Sequence, residues 1–292
     1  MSEMKYVLIT PARNEEEFIE KTIKSVINQT ILPIKWIIVS DGSTDRTDEI
    51  VEPYSSRFDF IKLMRSSGEK VRSFGSKAKA VMFAYSTLEN LDFDYIGNLD
   101  ADISFDSTYY ENILNKFDQD EKLGVAGGVR FDFCDETFRR LPCASNSVGG
   151  PFQMFRKSCF EQVGGYSPLK YGGIDAAAEI TARFFGWKVQ SFTEFKLYHH
   201  RCTGSWGGKS LRYSFRIGVQ FYSLGYYPLF ITLKFLKEIF SKPIIIGSLL
   251  SIFGYLWAKI VGAEMQVSSE LIDFLKKEQR QRMWYLLKNN KH

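Results

Sequence analysis

The chain has 292 residues, of which 45% are hydrophobic and 25% are charged, so it is long enough for one large α/β domain or for one domain plus an appendage. Its formal net charge is only +4, and no dense run of Lys and Arg with interleaved aromatic residues occurs before the C-terminal region, so nothing favours nucleic acid as a partner. The four cysteines lack the paired spacing of a metal site, and the chain enters an apolar run at Tyr6. We therefore expect free thiols in a reducing cytoplasmic compartment and no targeting segment.

Apolar runs and amphipathic stretches alternate through residues 5–100. The runs predict strands at Lys5–Ile9, Trp36–Ser40, Phe60–Met64 and Tyr95–Leu99. The stretches between them predict helices at Glu15–Asn28, Thr44–Tyr54 and Ser73–Leu88. Strands separated by helices indicate βαβ units and a mostly parallel sheet flanked by helices.

The pattern becomes mixed after residue 105 and helical after about residue 210. The middle segments predict helices at Ser107–Asp118 and Asp175–Phe185, and strands at Gly124–Arg130, Phe152–Arg156 and Phe195–Tyr198. We place a boundary near 205–210. This divides the chain into a domain at 1–208, with halves 1–105 and 106–208, and a helical C-terminal region at 209–292.

Two carboxylates, Asp100 and Asp102, follow the strand Tyr95–Leu99. Alternate residues at a strand end point to the same side, so both can converge on one cation or one polyol. Oxygen ligands favour Mg²⁺ or Mn²⁺. The alternative is an Asp-rich turn that caps the next helix through Asp106 or Ser107.

Two further loops follow the first two predicted strands, at Thr10–Glu15 and Asp41–Asp45. Each could be a simple turn into a helix. In a parallel sheet, however, the carboxyl ends of strands lie along one edge, and that edge is where ligands bind. We therefore expect both loops to lie beside Asp100 and Asp102.

In order and spacing, these segments resemble the signatures of the family 2 nucleotide-sugar glycosyltransferases, which have the GT-A fold. The matching segments are Thr10–Glu15, Asp41–Asp45, Gly75–Ala80 and Asp100–Asp102, which resemble Pro-x-x-Asn-Glu, Asp-Gly-Ser-x-Asp, Gly-Lys-x-x-Ala and Asp-x-Asp. The resemblance covers roughly the first 200 residues. It implies an enzyme that moves a sugar from a nucleoside diphosphate to an acceptor, with Mn²⁺ or Mg²⁺ as cofactor.

The resemblance also implies roles for individual residues. The base and ribose would be held by Pro11, Arg13, Glu15 and Asp41. Lys77 would lie near the nucleotide, Asp100 would contact ribose or metal, and Asp102 would bind the metal. Arg13 replaces the aromatic residue often found at its position, so its guanidinium plane stacks on the base or the base is held in another way.

The acceptor side is predicted from glycine pairs and a carboxylate. Gly149-Gly150 and Gly164-Gly165 allow close approach of a ligand, or simply form tight turns. Asp175 begins a predicted helix and matches the family's general base for inverting transfer, although Ile174 stands where a Glu is usual. Glu179, one turn later on the same face, is the alternative base, and a helix cap is the alternative role for Asp175.

By the same resemblance, a third metal ligand is expected at His199 or His200. Adjacent strand residues face opposite ways, so only one of them can reach the metal, and we favour His200 because flexible glycines follow it. The glycine-rich segment 203–209, with Arg212 and Arg216 after it, is suited to closing over a pyrophosphate. A solvated linker is the alternative.

The C-terminal third contains the uncharged run Pro243–Ala258, which is 16 residues long and lies between Lys242 and Lys259. A spanning helix needs about 20 residues, so this run predicts a monotopic element on a membrane surface. The cationic stretch Glu270–Lys288 suits anionic lipid. A buried packing face or a dimer interface is the alternative.

Together these features predict an α/β protein with the GT-A (Rossmann-like) fold and a membrane-associated helical C-terminal region. The expected activity is inverting, metal-dependent transfer from a nucleotide sugar, preferably a UDP-sugar, to a glycan or lipid-linked acceptor at the cytoplasmic face of the cell membrane. A catalytically degenerate membrane scaffold is the first alternative. A nucleotidyltransferase is less favoured, because that class brings a Gly-rich cationic loop after the first strand, where this chain has Asn14-Glu15-Glu16.

Overall fold

The computed structural model describes residues 4–66, 74–202, 211–239 and 245–289. The chain divides into two compact units. Unit 1 comprises Met1–Pro168 and Ile174–Cys202, and unit 2 comprises Leu169–Gly173 and Thr203–His292. The predicted boundary near 205–210 lies outside the described residues and is adjacent to this division.

The first half of unit 1 is a parallel βαβ array. Its elements are β1 (Tyr6–Ala12), α1 (Ile19–Ile27), β2 (Lys35–Asp41), α2 (Thr47–Arg57), β3 (Ile61–Ser66), α3 (Phe74–Ser86) and β4 (Tyr95–Asn98). β1 pairs in parallel with both β2 and β4, and β2 pairs in parallel with β3. The side chains of Tyr6, Val7, Leu8 and Ile9 are fully buried, because β1 is central in the sheet.

The second half of unit 1 extends the same sheet with strands of both directions. Its elements are β5 (Ile103–Phe105), α4 (Tyr109–Gln119), β6 (Leu123–Cys134), β7 (Thr137–Arg140), β8 (Met154–Arg156), α5 (Lys157–Val163), α6 (Ile174–Phe184) and β9 (Lys188–His199). Among the described residues the strand order is β3-β2-β1-β4-β8-β6-β9-β5, with β7 paired to β6. The GT-A architecture is confirmed, but the sheet is mixed rather than mostly parallel.

Strand direction decides which loops meet. β8 runs antiparallel to both β4 and β6, so β6 runs the same way as β4, and β9 is parallel to β6. The carboxyl ends of β1, β2, β4, β6 and β9 therefore lie at one edge of the sheet. This edge brings together residues from both halves of unit 1.

Several element boundaries differ from the predictions for identifiable reasons. α1 begins at Ile19 instead of Glu15, because Asn14 has a φ of 57° and residues 16–18 form a turn. β6 and β9 are longer than predicted because they pair along most of their length. The unpredicted strand β7 follows a two-residue turn at Asp135 and Glu136, where both φ values are positive, as a tight hairpin requires.

Unit 2 is helical where it is described. Its helices are α7 (Leu211–Ser223), α8 (Pro228–Ile239), α9 (Ile245–Ile260) and α10 (Ser269–Asn289). α7 and α9 approach at backbone distance. A Cβ added to Gly218 would lie 1.9 Å from the Ser251 carbonyl oxygen, and one added to Gly254 would lie 2.0 Å from that of Phe215. Only glycine fits at these two positions.

α9 contains most of the predicted uncharged run, and residues 243 and 244 of that run lie outside the described residues. One face of α9 exposes large apolar side chains at helical spacing: Ile246, Leu249, Phe253, Leu256, Trp257 and Ile260. Within the described parts of the chain, no helix has both the length and the hydropathy that a membrane span requires.

The prediction of four free thiols was wrong for one pair. Cys134, at the end of β6, and Cys202, after β9, form a disulfide with a Cα–Cα distance of 5.0 Å. Cys143 and Cys159 are free. The two half-cystines are 68 residues apart in sequence, and they meet because β6 and β9 run parallel side by side and end at the same edge.

We expect this disulfide to contribute to stability by restricting the unfolded chain. Closing a loop of 68 residues corresponds to about 4 kcal/mol. Cys134→Ser should therefore lower the free energy of unfolding by that amount in urea denaturation without reductant. Cys143→Ser, at an exposed free cysteine, is the control and should change it by less than about 0.5 kcal/mol. Labelling of all four thiols in the unreduced, denatured protein would contradict this.

Candidate active site

The loops that follow β1 and β2 interlock at the carboxyl edge of the sheet. Asn14 Oδ1 accepts a hydrogen bond from the Thr44 backbone N at 2.8 Å, and the Asn14 backbone N donates to Ser43 Oγ at 3.3 Å. The Glu15 backbone N donates to Thr47 Oγ1 at 2.7 Å. The two predicted signatures therefore form one locked substructure.

The residues predicted to hold base and ribose lie in these loops. Pro11, Arg13 and Asp41 are half-buried at the ends of neighbouring strands. Asp41 Oδ1 accepts a hydrogen bond from Ser66 Oγ at 2.6 Å, which orients its carboxylate. Pro11, Arg13 and Asp41 therefore lie along one edge of the sheet, as expected from the parallel pairing of β1 and β2.

Lys77 and Asp100 form an ion pair between α3 and the end of β4. Lys77 Nζ lies 2.5 Å from Asp100 Oδ1, and both side chains are partly exposed. The Asp100 backbone N donates to the Pro151 carbonyl oxygen at 2.8 Å. The predicted nucleotide-side lysine and the first Asp of the Asp-x-Asp triplet are thus in direct contact.

Asp102 is 6% exposed and has an incomplete set of partners. Its Oδ2 faces His199 Nε2 at 3.1 Å and Arg201 Nε at 3.5 Å. Burial alone would raise the pKa of Asp102, but His199 and Arg201 outweigh it and hold the pKa below its usual value. Its Oδ1 is buried and has no hydrogen-bond partner among the described residues.

A buried carboxylate oxygen without a donor is costly, and a bound cation would remove that cost. The oxygen donor of Asp102 fits Mg²⁺ or Mn²⁺. No ready-made cluster of three or more His, Cys, Asp or Glu side chains occurs in the part of the chain that the structure describes. Asp102 therefore fits as one ligand of a site that substrate oxygens would complete.

The two histidines lie on opposite sides of the chain. His199 Nε2 faces Asp102, and its Nδ1 lies 3.1 Å from Asp132 Oδ1. His200 Nε2 lies 2.8 Å from Ser104 Oγ, and its ring stacks on Phe18. The structure therefore brings His199, and not His200, beside Asp102, and the role of either histidine as a metal ligand stays a prediction. The reason is register: His199 is paired with Asp132 across β9 and β6, so it shares that residue's face.

The environment of His199 sets its charge in this arrangement. Burial lowers the pKa of His199, but hydrogen bonds to the Asp102 and Asp132 carboxylates more than offset this and raise the pKa to about 9. The imidazolium form therefore predominates at neutral pH.

Sequence reasoning missed Arg201, which links three parts of the site. Its Nη1 lies 3.1 Å from Glu15 Oε1, its Nη2 contacts Glu15 Oε2, and its guanidinium lies over the Phe18 ring. Burial raises the pKa of Glu15 to about 7, with the charge of Asp102 adding to this and Arg201 opposing it. The adjacent histidines were the only feature of the sequence that drew attention to the residues around Arg201. No feature of the sequence pointed to Asp132.

Asp175, in the first turn of α6, lies against a glycine loop. A Cβ added to Gly150 would be 2.4 Å from Asp175 Oδ2, so only glycine allows this approach. The Gly150 carbonyl oxygen accepts from Asn98 Nδ2 at 2.7 Å, at the end of β4. The loop thereby places the Asp175 carboxylate beside the strand end that carries Asp100.

Glu179, the alternative base, is 4% exposed and surrounded by donors. Its carboxylate accepts from Ser147 Oγ at 2.8 Å, the Val148 backbone N at 2.6 Å and Gln153 Nε2 at 2.9 Å. Burial, and to a smaller extent the charge of Asp175, raises the pKa of Glu179 to about 7. Glu179 therefore holds the 147–153 segment and is not open to a substrate.

Part of the predicted pyrophosphate loop, residues 203–209, lies outside the described residues. Arg212 and Arg216 are exposed on α7 in unit 2. Their role at a pyrophosphate stays a prediction.

The strand order, the interlocked loops and the Asp-x-Asp triplet at one edge define the GT-A class of fold. The mannosyltransferase PcManGT from Pyrobaculum calidifontis, solved with GDP-Man and Mn²⁺, aligns with 97% of this chain and 81% of its own, with a TM-score of 0.56 and 13% identity. Residues 1–349 of S. aureus TarS, solved with UDP-GlcNAc, align with 93% of this chain and 78% of that chain, with a TM-score of 0.56 and 16% identity. At these identities the likeness shows the fold alone.

The family model "Glycosyl transferase family 2" matches residues 7–169, more than half of the chain, and the chain belongs to this family of glycosyltransferases. It is 32% identical over 123 residues to the uncharacterized glycosyltransferase EpsJ of Bacillus subtilis, covering 41% of this chain and 32% of that protein. It is 26% identical over 200 residues to a poly-β-1,6-N-acetyl-D-glucosamine synthase of Staphylococcus epidermidis, covering 61% of this chain and 44% of that protein. The matches thus span less than half the length of either relative.

The raised pKa of Glu179 makes its contribution to stability depend on pH. The folded protein holds this proton to a higher pH than the unfolded chain, so the contribution is complete below pH 4.5 and is lost by about pH 7. Relative to Glu179→Gln, which cannot titrate, the unsubstituted chain should lose about 3 kcal/mol of unfolding free energy between these pH values. Urea denaturation at several pH values measures this.

Glu121→Gln, at an exposed glutamate of the same unit, is the matched control and should track the unsubstituted chain across this pH range. Parallel stability curves for the unsubstituted chain and Glu179→Gln would contradict the prediction.

Proposed function

We propose that this chain is an inverting, metal-dependent glycosyltransferase that uses a nucleoside-diphosphate sugar, preferably a UDP-sugar, and transfers to a hydroxyl of a glycan or lipid-linked acceptor. The observation that carries the proposal is the buried Oδ1 of Asp102, which has no hydrogen-bond partner among the residues that the structure describes. It lies at the sheet edge that also holds the Glu15 and Asp41 loops, in a member of family 2.

The donor would bind along the ends of β1, β2 and β4. Pro11, Arg13, Glu15 and Asp41 would hold the base and ribose, with the Arg13 guanidinium plane available for stacking. Lys77 would lie near the nucleotide. The fold likeness to structures that hold GDP-Man and UDP-GlcNAc supports a nucleotide sugar in this position.

Asp102 would hold the metal, and His199, whose two ring nitrogens face the Asp102 and Asp132 carboxylates, would hold Asp102 in place rather than coordinate the ion. A bound Mn²⁺ or Mg²⁺ would neutralise the charge that develops on the leaving diphosphate. Arg201 adds a fixed positive charge at the same place, because Glu15 and Asp102 hold its guanidinium.

Asp175 would be the general base. Its carboxylate would take the proton of the acceptor hydroxyl while that oxygen attacks C1 on the face opposite the leaving group, which inverts the anomeric centre. Glu179 is the poorer candidate, because its oxygens are occupied by three donors. Ile174 is buried, so the acceptor would be positioned by other groups.

Unit 2 would attach the enzyme to a membrane surface. The apolar face of α9 is exposed along its length, and α10 exposes Lys277 and Arg280 together with Trp284 and Tyr285. Apolar insertion beside cationic side chains is the combination that binds anionic bilayers without crossing them. We place the enzyme at the cytoplasmic face. Disulfides are rare in a reducing cytoplasm, so a reduced Cys134 in cells would support this placement and a Cys134–Cys202 disulfide would oppose it.

Two variants separate donor binding from chemistry. We expect one of four donor classes, the UDP, GDP, CMP or dTDP sugars, to stabilise the folded protein when Mn²⁺ is present. At a donor concentration of 100 times Kd, the free energy of unfolding should rise by about 2.7 kcal/mol. Asp102→Asn should lose the metal-dependent part of this stabilisation. Asp175→Asn should keep it, while turnover falls by about 10²–10⁴-fold. Thermal shift and a nucleotide-release assay measure these effects.

Asp118→Asn, at an exposed carboxylate of α4, is the matched control. Donor binding without transfer would favour the scaffold, and nucleotide transfer with pyrophosphate release would favour the nucleotidyltransferase. No stabilisation by any donor would contradict the proposed function.

The membrane proposal is tested by sedimentation with vesicles. Phe253, 57% exposed on α9, should insert into the bilayer, so Phe253→Glu should reduce binding to vesicles containing anionic lipid by about tenfold or more. Phe83→Glu makes the same change in unit 1, where the side chain is 47% exposed, and should bind normally. If Phe253→Glu converts a dimer to a monomer without affecting vesicle binding, the face is a protein interface.

A further inference from the structure

The segment 147–153 of unit 1 is attached to the end of β4 by two hydrogen bonds from Asn98. The Asn98 backbone N donates to the Gln153 carbonyl oxygen at 2.9 Å. The Asn98 side chain donates from Nδ2 to the Gly150 carbonyl oxygen at 2.7 Å. Of the two, only the second depends on a side chain, so it is the one that a substitution can remove.

Gly150 is the point at which this segment meets the proposed base. A Cβ added to Gly150 would lie 2.4 Å from Asp175 Oδ2 and 2.8 Å from Asp175 Cγ, so the Asp175 carboxylate lies directly against the Gly150 backbone. Gly150 is buried and begins the short helical turn Gly150–Phe152. Asn98, Gly150 and Asp175 all belong to unit 1. A shift of the Gly150 peptide would therefore move the surface against which the carboxylate lies.

Only one end of the Asn98 amide has a partner in the described part of the chain. Asn98 is 4% exposed, and its Oδ1 is buried with no hydrogen-bond partner among the described residues. A buried acceptor without a donor is destabilising, and a leucine of similar size would avoid that cost. The stability of the sheet therefore does not account for an amide at this position. What the amide supplies is the donor to Gly150.

We propose that Asn98 is a positioning residue for the transfer reaction. By holding the Gly150 carbonyl oxygen, its side chain fixes the backbone against which the Asp175 carboxylate lies, and so the place from which that carboxylate reaches the acceptor hydroxyl. This inference rests on the proposed role of Asp175 as base. Misplacing a reacting group by about 1 Å can cost about 10²-fold in rate, so a loosened Gly150 should be visible in turnover.

The donor nucleotide should bind normally without this hydrogen bond. Asp100 has its own bond to the segment, from its backbone N to the Pro151 carbonyl oxygen at 2.8 Å. Its carboxylate is also paired with Lys77. Neither contact involves the Asn98 side chain. Loss of that side chain should therefore lower turnover and leave nucleotide affinity unchanged.

Asn98→Leu removes the donor to Gly150 together with the unmatched acceptor, so it tests the hydrogen bond at a small cost in stability. Turnover is measured in the full chain as release of nucleoside diphosphate from the donor sugar that gives the largest thermal shift, with water as the acceptor. We expect turnover to fall by about tenfold or more. The Kd for the matching nucleoside diphosphate with Mn²⁺ should stay within about twofold, and Tm within about 4 °C, of the unsubstituted values.

Gln29→Leu is the matched control in unit 1. Gln29 is 6% exposed, its Nε2 donates to the Asp106 carbonyl oxygen at 2.8 Å, and its Oε1 accepts from the Tyr110 backbone N at 3.0 Å. The substitution makes the same exchange of a buried amide for leucine at a different part of the backbone. Because both ends of the Gln29 amide have partners, Tm should fall by at least as much as in Asn98→Leu. Turnover should be unchanged.

A double substitution shows whether Asn98 acts through Asp175. In the Asp175→Asn background, adding Asn98→Leu should lower the residual turnover by less than about twofold, because the group that Gly150 positions no longer takes a proton. A merely structural role would lower turnover by the same factor in both backgrounds.

Equal factors in the two backgrounds would overturn the proposal. Unchanged turnover in Asn98→Leu, or an equal loss in Gln29→Leu, would overturn it as well. If the unsubstituted chain releases no nucleotide, or if Asp175→Asn keeps full turnover, the proposed function or its base fails, and this inference with it. If Asp175→Asn loses turnover and Asn98→Leu does not, only the positioning role of Asn98 fails.

Discussion

The carboxylate of Asp102 is the constraint on which the rest of the site depends. A buried charge must be paired, and one of its oxygens is paired by His199 and Arg201. Because Arg201 also binds Glu15, and His199 also binds Asp132, the network joins the loop after β1 and the ends of β4, β6 and β9. The other oxygen is buried without a donor in the described part of the chain, which makes this the natural place for a cation.

On the acceptor side, two carboxylates of α6, Asp175 and Glu179, lie in different environments. Glu179 is buried and accepts three hydrogen bonds, so it orders the segment that contains Gly150. Asp175 is only half-buried and lies against that glycine, at a distance that leaves no room for a Cβ. The buried carboxylate thus provides a framework, and the more accessible one is the candidate for chemistry.

Much of the N-terminal half could be predicted, because its signals are local. Alternating apolar runs and helical stripes gave β1 to β4 and the helices between them, and parallel pairing then placed Asp41 and Asp100 at one edge. The second half was harder to predict. β6 and β9 are long because they pair with each other, and β7 exists because a tight turn folds it onto β6. Their lengths depend on partners that are distant in sequence, so no local pattern reports them.

The amino-acid sequence by itself determined the order of the motifs, the βαβ frame, the family and most of the residues along the sheet edge. Only the tertiary structure decided that His199 rather than His200 meets Asp102, that Cys134 bonds Cys202, and that Arg201 pairs with Glu15 across 186 positions. Helix and strand propensities act between neighbours a few residues apart, and these local preferences determine which segments become helices and which become strands. Strand order and register determine which distant side chains share a face, and these arise only when the whole sheet is assembled.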